Sequence, residues 1–340
     1  MKRLLTLAVL LFATAALTMV SCTKEGPAGP AGTNGTNGVN GENGIDGQDG
    51  TATCIECHDA SQGMFAKVNQ WEHSVHATGG TYERNGASCA PCHTSQGFLE
   101  VMAAGTQETA EDIMNPNPVN CYTCHSIHST YTTEDWDLTY KAPVTTWHME
   151  TTYDDAGDGN LCMNCHQARV VSPMPVAGGE DVTLTSKRFG PHHGPQSQII
   201  NGTGTYEFAG MTKSAVHKGV DNGCVGCHMG TAVGVESGGH TFNPNFSVCA
   251  DCHGADDVEA MVEDLHAEVE ALMVTLAEKL RAAGIMNADD TYAVTNTPFS
   301  ADVAGAFLNY KFVEEDKSMG VHNPSYVKNL LEDSIDALAK

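Results

Sequence analysis

Twelve of the thirteen cysteines of this 340-residue chain lie in six copies of the motif Cys-x-x-Cys-His. The six copies are Cys54, Cys57 and His58; Cys89, Cys92 and His93; Cys121, Cys124 and His125; Cys162, Cys165 and His166; Cys224, Cys227 and His228; and Cys249, Cys252 and His253. This repeated motif constrains the fold more than any other feature, because each copy must present two thiols and an imidazole to one bound group.

The motif is typical of covalent haem attachment. Each thiol forms a thioether with one vinyl group of the same porphyrin, and the histidine binds the iron. Disulfides and zinc sites also use cysteine pairs, but neither requires a histidine after every second cysteine. With 16 histidines in 340 residues, six such coincidences have a negligible probability. The sequence therefore predicts six haem c groups, attached through the twelve motif cysteines, with the six motif histidines as iron ligands.

Six haems in a chain of this length leave too few residues to enclose each haem in a pocket of its own. We therefore expect the porphyrins to pack against one another and to form much of the core, in keeping with an aromatic content of only 6%. Residues 51–254 are rich in Gly, Asn, Thr and His and have little periodicity. This pattern predicts coil with short α-helices wrapped around stacked haems, and little β-structure.

The C-terminal residues 255–340 have a different pattern. Apolar residues recur at helical spacing from Asp256 to Ala283, and Gly284 ends that helix. A second helix is predicted from Pro324 to about Ala339, with Asn323 as its N-cap. We expect this helical segment to pack on the haem core and to supply one iron ligand to it.

The N-terminal residues 1–21 have the layout of a bacterial secretion signal, with Lys2 and Arg3 before an apolar run and small residues. The segment MVSC that ends at Cys22 resembles the lipobox of bacterial lipoproteins, in which the cysteine is acylated. This resemblance implies a lipid anchor at Cys22. Because Thr23 rather than aspartate follows, it also implies sorting to the outer membrane. An ordinary signal peptide with a coincidental cysteine is the alternative.

Glycine occupies every third position from Gly26 to Gly50, which is the period of collagen. Proline occurs there only at Pro27 and Pro30, so an extended or disordered tether is favoured over a short triple helix. The predicted organisation is a signal peptide at residues 1–21, a lipid-anchored tether at 22–50, a six-haem core at 51–254 and a helical segment at 255–340.

The formal net charge of −25 disfavours nucleic acid as a partner and favours cationic or metal partners. No stretch after Cys22 is apolar over the length needed to span a bilayer, so attachment to a membrane is expected through lipid alone.

Ten histidines lie outside the motifs, and six of them suffice to complete the coordination of six irons. The ten are His73, His76, His128, His148, His192, His193, His217, His240, His266 and His322. If each haem takes a second histidine, no iron keeps an open position. The fourteen methionines, including Met163 inside one motif and Met229 beside another, are interpreted as packing residues.

Several segments are similar to blocks of multihaem cytochromes from metal-respiring bacteria: WEHSVHA, CHSIH, NLCMNCHQAR, GPHHGPQ, CVGCHMGTAVGVESGGHTF and DKSMGVHNPSYVKNLL. The last block also resembles the group of pentahaem nitrite reductases and hydroxylamine oxidoreductases. The resemblance implies the following second iron ligands: His76, His128, one of His192 and His193, His217, His240 and His322. His73 is the alternative to His76, His148 is a candidate partner of a haem propionate, and His266 is interpreted as an ordinary half-buried histidine. Arg84, Arg169, Arg188 and Lys213 are further candidates for binding propionates.

Haem iron bound by two imidazoles exchanges electrons but does not readily bind a substrate. The sequence therefore predicts an electron carrier without catalytic residues, at the outer membrane or cell surface. It would connect periplasmic redox partners with other cytochromes, metal oxides or cells. A terminal reductase for nitrite, hydroxylamine or a sulfur oxyanion is the alternative, although the CxxCK motif of the nitrite enzymes is absent. A subunit of a cytochrome filament is a third interpretation.

Overall fold

The computed structural model describes residues 58, 62–154, 156–213, 215–254 and 257–339. Residues 50–340 form one compact unit. Cys54, Cys57, the secretion signal, Cys22 and the glycine repeat lie outside the described residues, so the predictions made for them stay predictions.

The described residues form twelve α-helices, most of them short. In chain order they are α1 (Gln62–Glu72), α2 (Val75–Thr78), α3 (Ala90–His93), α4 (Ser95–Ala104), α5 (Cys121–Cys124), α6 (Asn160–Met163), α7 (Gln196–Asn201), α8 (Cys224–His228), α9 (Ser247–His253), α10 (Val258–Ala282), α11 (Ala301–Asp316) and α12 (Pro324–Ala337). Five single 3-10 turns accompany them, at Thr81–Glu83, Thr133–Trp136, Gly157–Gly159, Val216–Gly219 and Gly239–Thr241. The prediction of coil with short helices is confirmed.

The β-structure consists of two small antiparallel pairs. Strand β1 (Val144–Thr145) pairs with β2 (Thr152–Tyr153), and β3 (Val182–Thr183) pairs with β4 (Pro298–Phe299). The second pair joins the middle of the chain to the segment that precedes α11. No helix among the described ranges is long and apolar enough to cross a membrane.

Each described cysteine motif lies on a short helix, namely α3, α5, α6, α8 or α9, or directly beside it. Helical geometry places side chains three positions apart on the same face, so both thiols of a motif point to one side. The start of α5 is fixed by a capping box: the side chain of Asn120 accepts from the Tyr122 amide, and the Thr123 hydroxyl accepts from the Asn120 amide.

Three long helices, rather than the two predicted, form the C-terminal part. Helices α10 and α12 were predicted from their apolar stripes and are present, with α10 starting at Val258 and α12 ending at Ala337. Helix α11 was missed, because its residues are buried around its whole circumference and the apolar residues have no helical period.

The three C-terminal helices pack together around a hydrophobic core of ordinary side chains. Its fully buried members include Leu276, Leu280, Phe307, Phe312 and Leu330. Leu184, Phe189, Ile199 and Tyr206, from the middle of the chain, pack into the same core. The C-terminal part of the fold therefore has a conventional hydrophobic core of its own, built from protein side chains.

Candidate haem-binding sites

Each motif histidine faces one histidine from outside the motifs. Numbered by motif, the pairs are site 1, His58 and His128 with ring centres 6.1 Å apart; site 2, His93 and His192, 6.4 Å; site 3, His125 and His240, 6.3 Å; site 4, His166 and His76, 6.2 Å; site 5, His228 and His322, 6.1 Å; and site 6, His253 and His217, 6.2 Å. These partners are the ones that the sequence resemblance implied.

The spacing fits an iron between the two rings of each pair. Two imidazoles bound to one metal through bonds of about 2 Å hold their ring centres roughly 6 Å apart. The ring planes are inclined by 31° to 87°, and the separations are too large for stacked contact. Together with the thiols of the described motifs, these residues fit a c-type haem with two histidine ligands.

The Nδ1 atoms of several paired histidines are occupied by hydrogen bonds to oxygen acceptors. His125 donates to Trp136 O at 2.7 Å, His228 to Phe242 O at 2.8 Å, His217 to Val321 O at 2.7 Å, His166 to Gln196 Oε1 at 3.2 Å and His322 to Asp316 Oδ1 at 2.7 Å. A ring that donates through Nδ1 keeps Nε2 free for a metal and is held in one orientation.

Burial keeps several of the ligand candidates neutral, which is the state that binds a metal. Burial is the main cause that lowers the pKa of His76, His192 and His240 to about 4, and neighbouring positive charges add to it. His322 differs, because the charge of Asp316 and its hydrogen bond outweigh burial and raise the pKa of this imidazole.

The loop that carries His128 is organised by one carboxylate. His128 has a φ of 61°, a left-handed conformation that is uncommon outside glycine. Asp135 accepts hydrogen bonds from the backbone amides of His128 at 2.8 Å, Thr130 at 2.7 Å and Tyr131 at 3.1 Å. Burial opposes the ionisation of Asp135, but these bonds outweigh it and hold the pKa of the carboxyl below its usual value.

The choice between the adjacent His192 and His193 follows from the geometry. The ring of His192 faces His93, whereas His193 Nδ1 lies 2.7 Å from Glu315 Oε2 and its side chain is 66% exposed. Sequence reasoning left this choice open, since both histidines occur in the same Gly-Pro-His-His-Gly stretch.

The three remaining histidines face no motif histidine among the described residues. His73 is exposed and follows the last residue of α1, and its Nδ1 lies 2.7 Å from Asn69 O of that helix. His148 is buried, donates through Nε2 to Gly204 O at 2.8 Å and lies near Phe312. His266 lies half-buried on α10. His76, rather than His73, therefore forms the pair at site 4.

Two of the four cations proposed as propionate partners lie near site 2. Arg84 and Arg169 contribute to the lowered pKa of His192. Neither guanidinium forms a hydrogen bond or an ion pair within the described part of the chain. Lys213 instead pairs with Glu207 at 2.7 Å. For Arg188, the described contact is that of its backbone amide with Ser186.

Sites 2, 4, 5 and 6 are joined by direct contacts between their residues. Cys165 Sγ of site 4 lies 3.7 Å from the carbonyl oxygen of Pro91, inside the motif of site 2. A Cβ built on Gly159, just before α6, would lie 2.9 Å from the amide nitrogen of Cys224 at site 5. His217 of site 6 donates to Val321, the residue before His322 of site 5. These contacts place the four sites next to one another.

Phe242 joins three sites, a role that sequence reasoning missed. Its ring centre lies 4.6 Å from that of His76 at site 4 and 6.1 Å from that of His240 at site 3. Its carbonyl oxygen accepts the hydrogen bond of His228 at site 5. Site 1 adjoins site 3, because Tyr122 of the third motif lies beside His128 with ring centres 6.3 Å apart.

No protein-family model matches the chain. The chain is 25% identical to the C-type polyheme cytochrome OmcB of Geobacter sulfurreducens, in an alignment that covers 73% of this chain and 43% of OmcB. It is also 25% identical to OmcC of the same organism, over 55% of this chain and 31% of OmcC. The chain thus spans less than half of the length of these relatives.

The fold can be compared with a solved structure, that of the outer cell wall cytochrome OcwA. The two chains superpose with a TM-score of 0.53 at 22% sequence identity, over 80% of this chain and 50% of OcwA. The resemblance to multihaem cytochromes inferred from the sequence is therefore confirmed, and the chain has a multihaem cytochrome fold.

Proposed function

We propose that this chain binds six haem c groups and conducts electrons among them. The main support for this proposal is the set of six histidine pairs. In each pair, the histidine of one CxxCH motif faces a second imidazole at the distance expected for two ligands of one iron. Haem iron held in this way is low-spin and exchanges one electron without binding a substrate. The similarity to polyheme cytochromes supports the haem chemistry, and the number six is our proposal.

The protein residues supply attachment, orientation and insulation. The motif thiols would attach the haems covalently, and the paired imidazoles would bind the irons. The hydrogen bonds at Nδ1 prevent the rings from turning away, as at His125 and His217. Because each motif histidine has a partner, the arrangement supports a carrier over a reductase, which would need one open iron.

The contacts between sites support a branched path centred on site 4. Site 4 adjoins site 2 through Pro91, site 3 through Phe242, and site 5 through Gly159. Site 1 continues from site 3 and site 6 from site 5. The path would therefore have three ends, at sites 1, 2 and 6, where redox partners can exchange electrons.

We place this function outside the cytoplasm, at the outer membrane or cell surface, as part of anaerobic respiration with an external electron acceptor. The secretion signal and covalent haem attachment support export, and the structural neighbour is described as an outer cell wall cytochrome. The partners would be periplasmic or surface cytochromes on one side and metal oxides or cells on the other.

Lipid anchoring is tested by Cys22→Ser in the full chain. The protein should then move from the membrane fraction to the soluble fraction with its haem content unchanged.

Deletion of residues 26–50 should retain both the anchor and electron transfer if this segment is a tether. Loss of assembly with electron transfer intact would instead support a filament.

The haem sites are tested by mass spectrometry and electron paramagnetic resonance (EPR) on the purified protein. The mass should show six haems, and the oxidised spectrum should integrate to six low-spin centres. His192→Ala should convert one centre to a high-spin, carbon monoxide-binding form, whereas the neighbouring control His193→Ala should leave all six low-spin. Fewer haems, or a high-spin centre in the unmodified protein, would contradict the proposal.

A further inference from the structure

We propose that Asp316 is a positioning residue that lowers the reduction potential of the haem at site 5. The inference rests on the proposed function and adds a specific property to one of its sites. Among the paired histidines that the structure describes, a carboxylate on the outer side of the imidazole is found at this site.

The contact is short and enclosed. His322 Nδ1 lies 2.7 Å from Asp316 Oδ1, and only 1% of the carboxylate side chain is exposed. The Ser318 hydroxyl donates to Asp316 Oδ2, and Ser318 Oγ accepts from the backbone amide of His322 at 3.2 Å. Asp316, Ser318 and His322 therefore form a closed ring of hydrogen bonds that fixes the imidazole plane.

The other paired histidines whose Nδ1 partners are described have neutral acceptors. These acceptors are the carbonyl oxygens of Trp136, Phe242 and Val321 and the side-chain amide oxygen of Gln196. Among the paired histidines of the described ranges, His322 alone has a carboxylate at this position. Within the described ranges, a buried carboxylate bonded to a paired imidazole ring is therefore specific to site 5, whereas Asp135 at site 1 binds the backbone amide of His128.

No cation within the described ranges compensates this charge by pairing with the carboxylate. Lys311, whose side chain is 9% exposed, pairs with Glu314 and lies 3.8 Å from Glu315 Oε1. Lys317 is exposed and lies 4.0 Å from Glu315 Oε2. Gln196 Nε2 donates to the backbone oxygen of Asp316, not to its carboxylate.

Two effects of the carboxylate act in the same direction. A carboxylate that accepts the Nδ1 proton makes the imidazole a stronger electron donor to the metal, which favours the oxidised iron. The buried negative charge also opposes the addition of an electron nearby. One electron would pass from a neighbouring haem to the haem at site 5, and Asp316 makes that step less favourable.

The position of site 5 gives this effect a consequence for the whole path. Site 5 lies between site 4 and site 6, since Gly159 approaches Cys224 on one side and His217 contacts Val321 on the other. Gln196 accepts from His166 of site 4 and also donates to the Asp316 backbone. A low-potential haem at site 5 would therefore restrict the flow of electrons between site 6 and the rest of the protein.

The test is Asp316→Asn in the full haem-loaded protein, because asparagine can still accept the hydrogen bond but has no charge. In a potentiometric titration followed by EPR, one of the six potentials should rise. The equilibrium constant for its reduction should increase at least tenfold, which is 59 mV for a one-electron couple. The g-values of the same low-spin signal should shift, with six haems retained.

Two further variants make the result decisive. Glu315→Gln removes the adjacent carboxylate, which contacts the unpaired His193, and should leave all six potentials unchanged. Ser318→Ala removes the hydroxyl that donates to the Asp316 carboxylate, so the potential of the haem at site 5 should fall further. This variant provides the test if Asp316→Asn loses a haem. Unchanged potentials in Asp316→Asn with six low-spin haems, or an equal shift in Glu315→Gln, would overturn the inference. The haem count of the unmodified protein tests the proposed function separately.

Discussion

The ring of Phe242 lies edge-on to the imidazole of His76, with 4.6 Å between the ring centres and 71° between the planes. This contact covers the ligand at the proposed branch point with an apolar surface. Phe242→Ala should admit water close to site 4, and polar surroundings favour the more positive, oxidised iron. We therefore expect the potential of the haem at site 4 to fall in a spectroelectrochemical titration. Phe246→Ala, which removes a more exposed phenyl ring, should leave that potential unchanged.

Asp135 is expected to control the coordination of site 1, because it binds the backbone amide of His128. Asp135→Ala should release the loop from its left-handed conformation, so that part of the site 1 centres become high-spin by EPR while the other five sites stay low-spin. The control is Asp137→Ala, which removes an exposed carboxylate in an ion pair with Lys141. A similar high-spin fraction in both variants would contradict a specific role of Asp135.

The side chain of Asn309 is expected to stabilise the C-terminal core. It is fully buried, accepts from the Tyr206 amide at 2.9 Å and donates to the Tyr206 carbonyl at 2.8 Å. Asn309→Ala leaves both backbone groups without partners, which should lower the free energy of unfolding by about 2 to 4 kcal/mol. Asn329→Ala, at a half-buried position of α12 where the side chain donates to Thr212 O, should cost less than about 1 kcal/mol, and thermal unfolding of both variants measures the difference.

His148 should make stability depend on pH, because burial lowers the pKa of its imidazole in the folded protein. The unfolded chain, with an ordinary histidine pKa of about 6.5, binds more protons over the range below that value. The contribution of His148 is therefore complete above about pH 6.5 and is lost as the pH falls below it. His148→Gln should lower the melting temperature at pH 7 and weaken its decrease between pH 6.5 and pH 5. An unchanged decrease would exclude this histidine as its source.

The histidines that face one another were largely predictable, because haem attachment imposes a local motif and the surplus histidines occur in recognisable blocks. Sequence could not assign the pairs. His93 faces His192, and His228 faces His322, across long stretches of chain. Such pairing depends on the tertiary fold alone.

The helices were also predictable only where the sequence has a local pattern. Helix α10 has one apolar face and was predicted, whereas α11 is buried on all sides and has no period to detect. The Asp316 contact was only weakly indicated by the sequence, since this aspartate is the first residue of the block DKSMGVHNPSYVKNLL that also contains His322. Neither its burial nor its hydrogen bond could be inferred from that position.

The histidine pairs also bear on the biogenesis of the protein. Iron at sites 2, 3, 4 and 5 would close overlapping loops. His93 of site 2 lies between His76 and His166 of site 4 in the chain, and His228 of site 5 lies between His125 and His240 of site 3. The haems that close these loops would act as cross-links, comparable to interleaved disulfides, and would remove conformational freedom from the unfolded chain. A chain that receives its haems incompletely would keep long open loops between its motifs. Covalent attachment would thus have to precede the final folding of the region between α1 and α9.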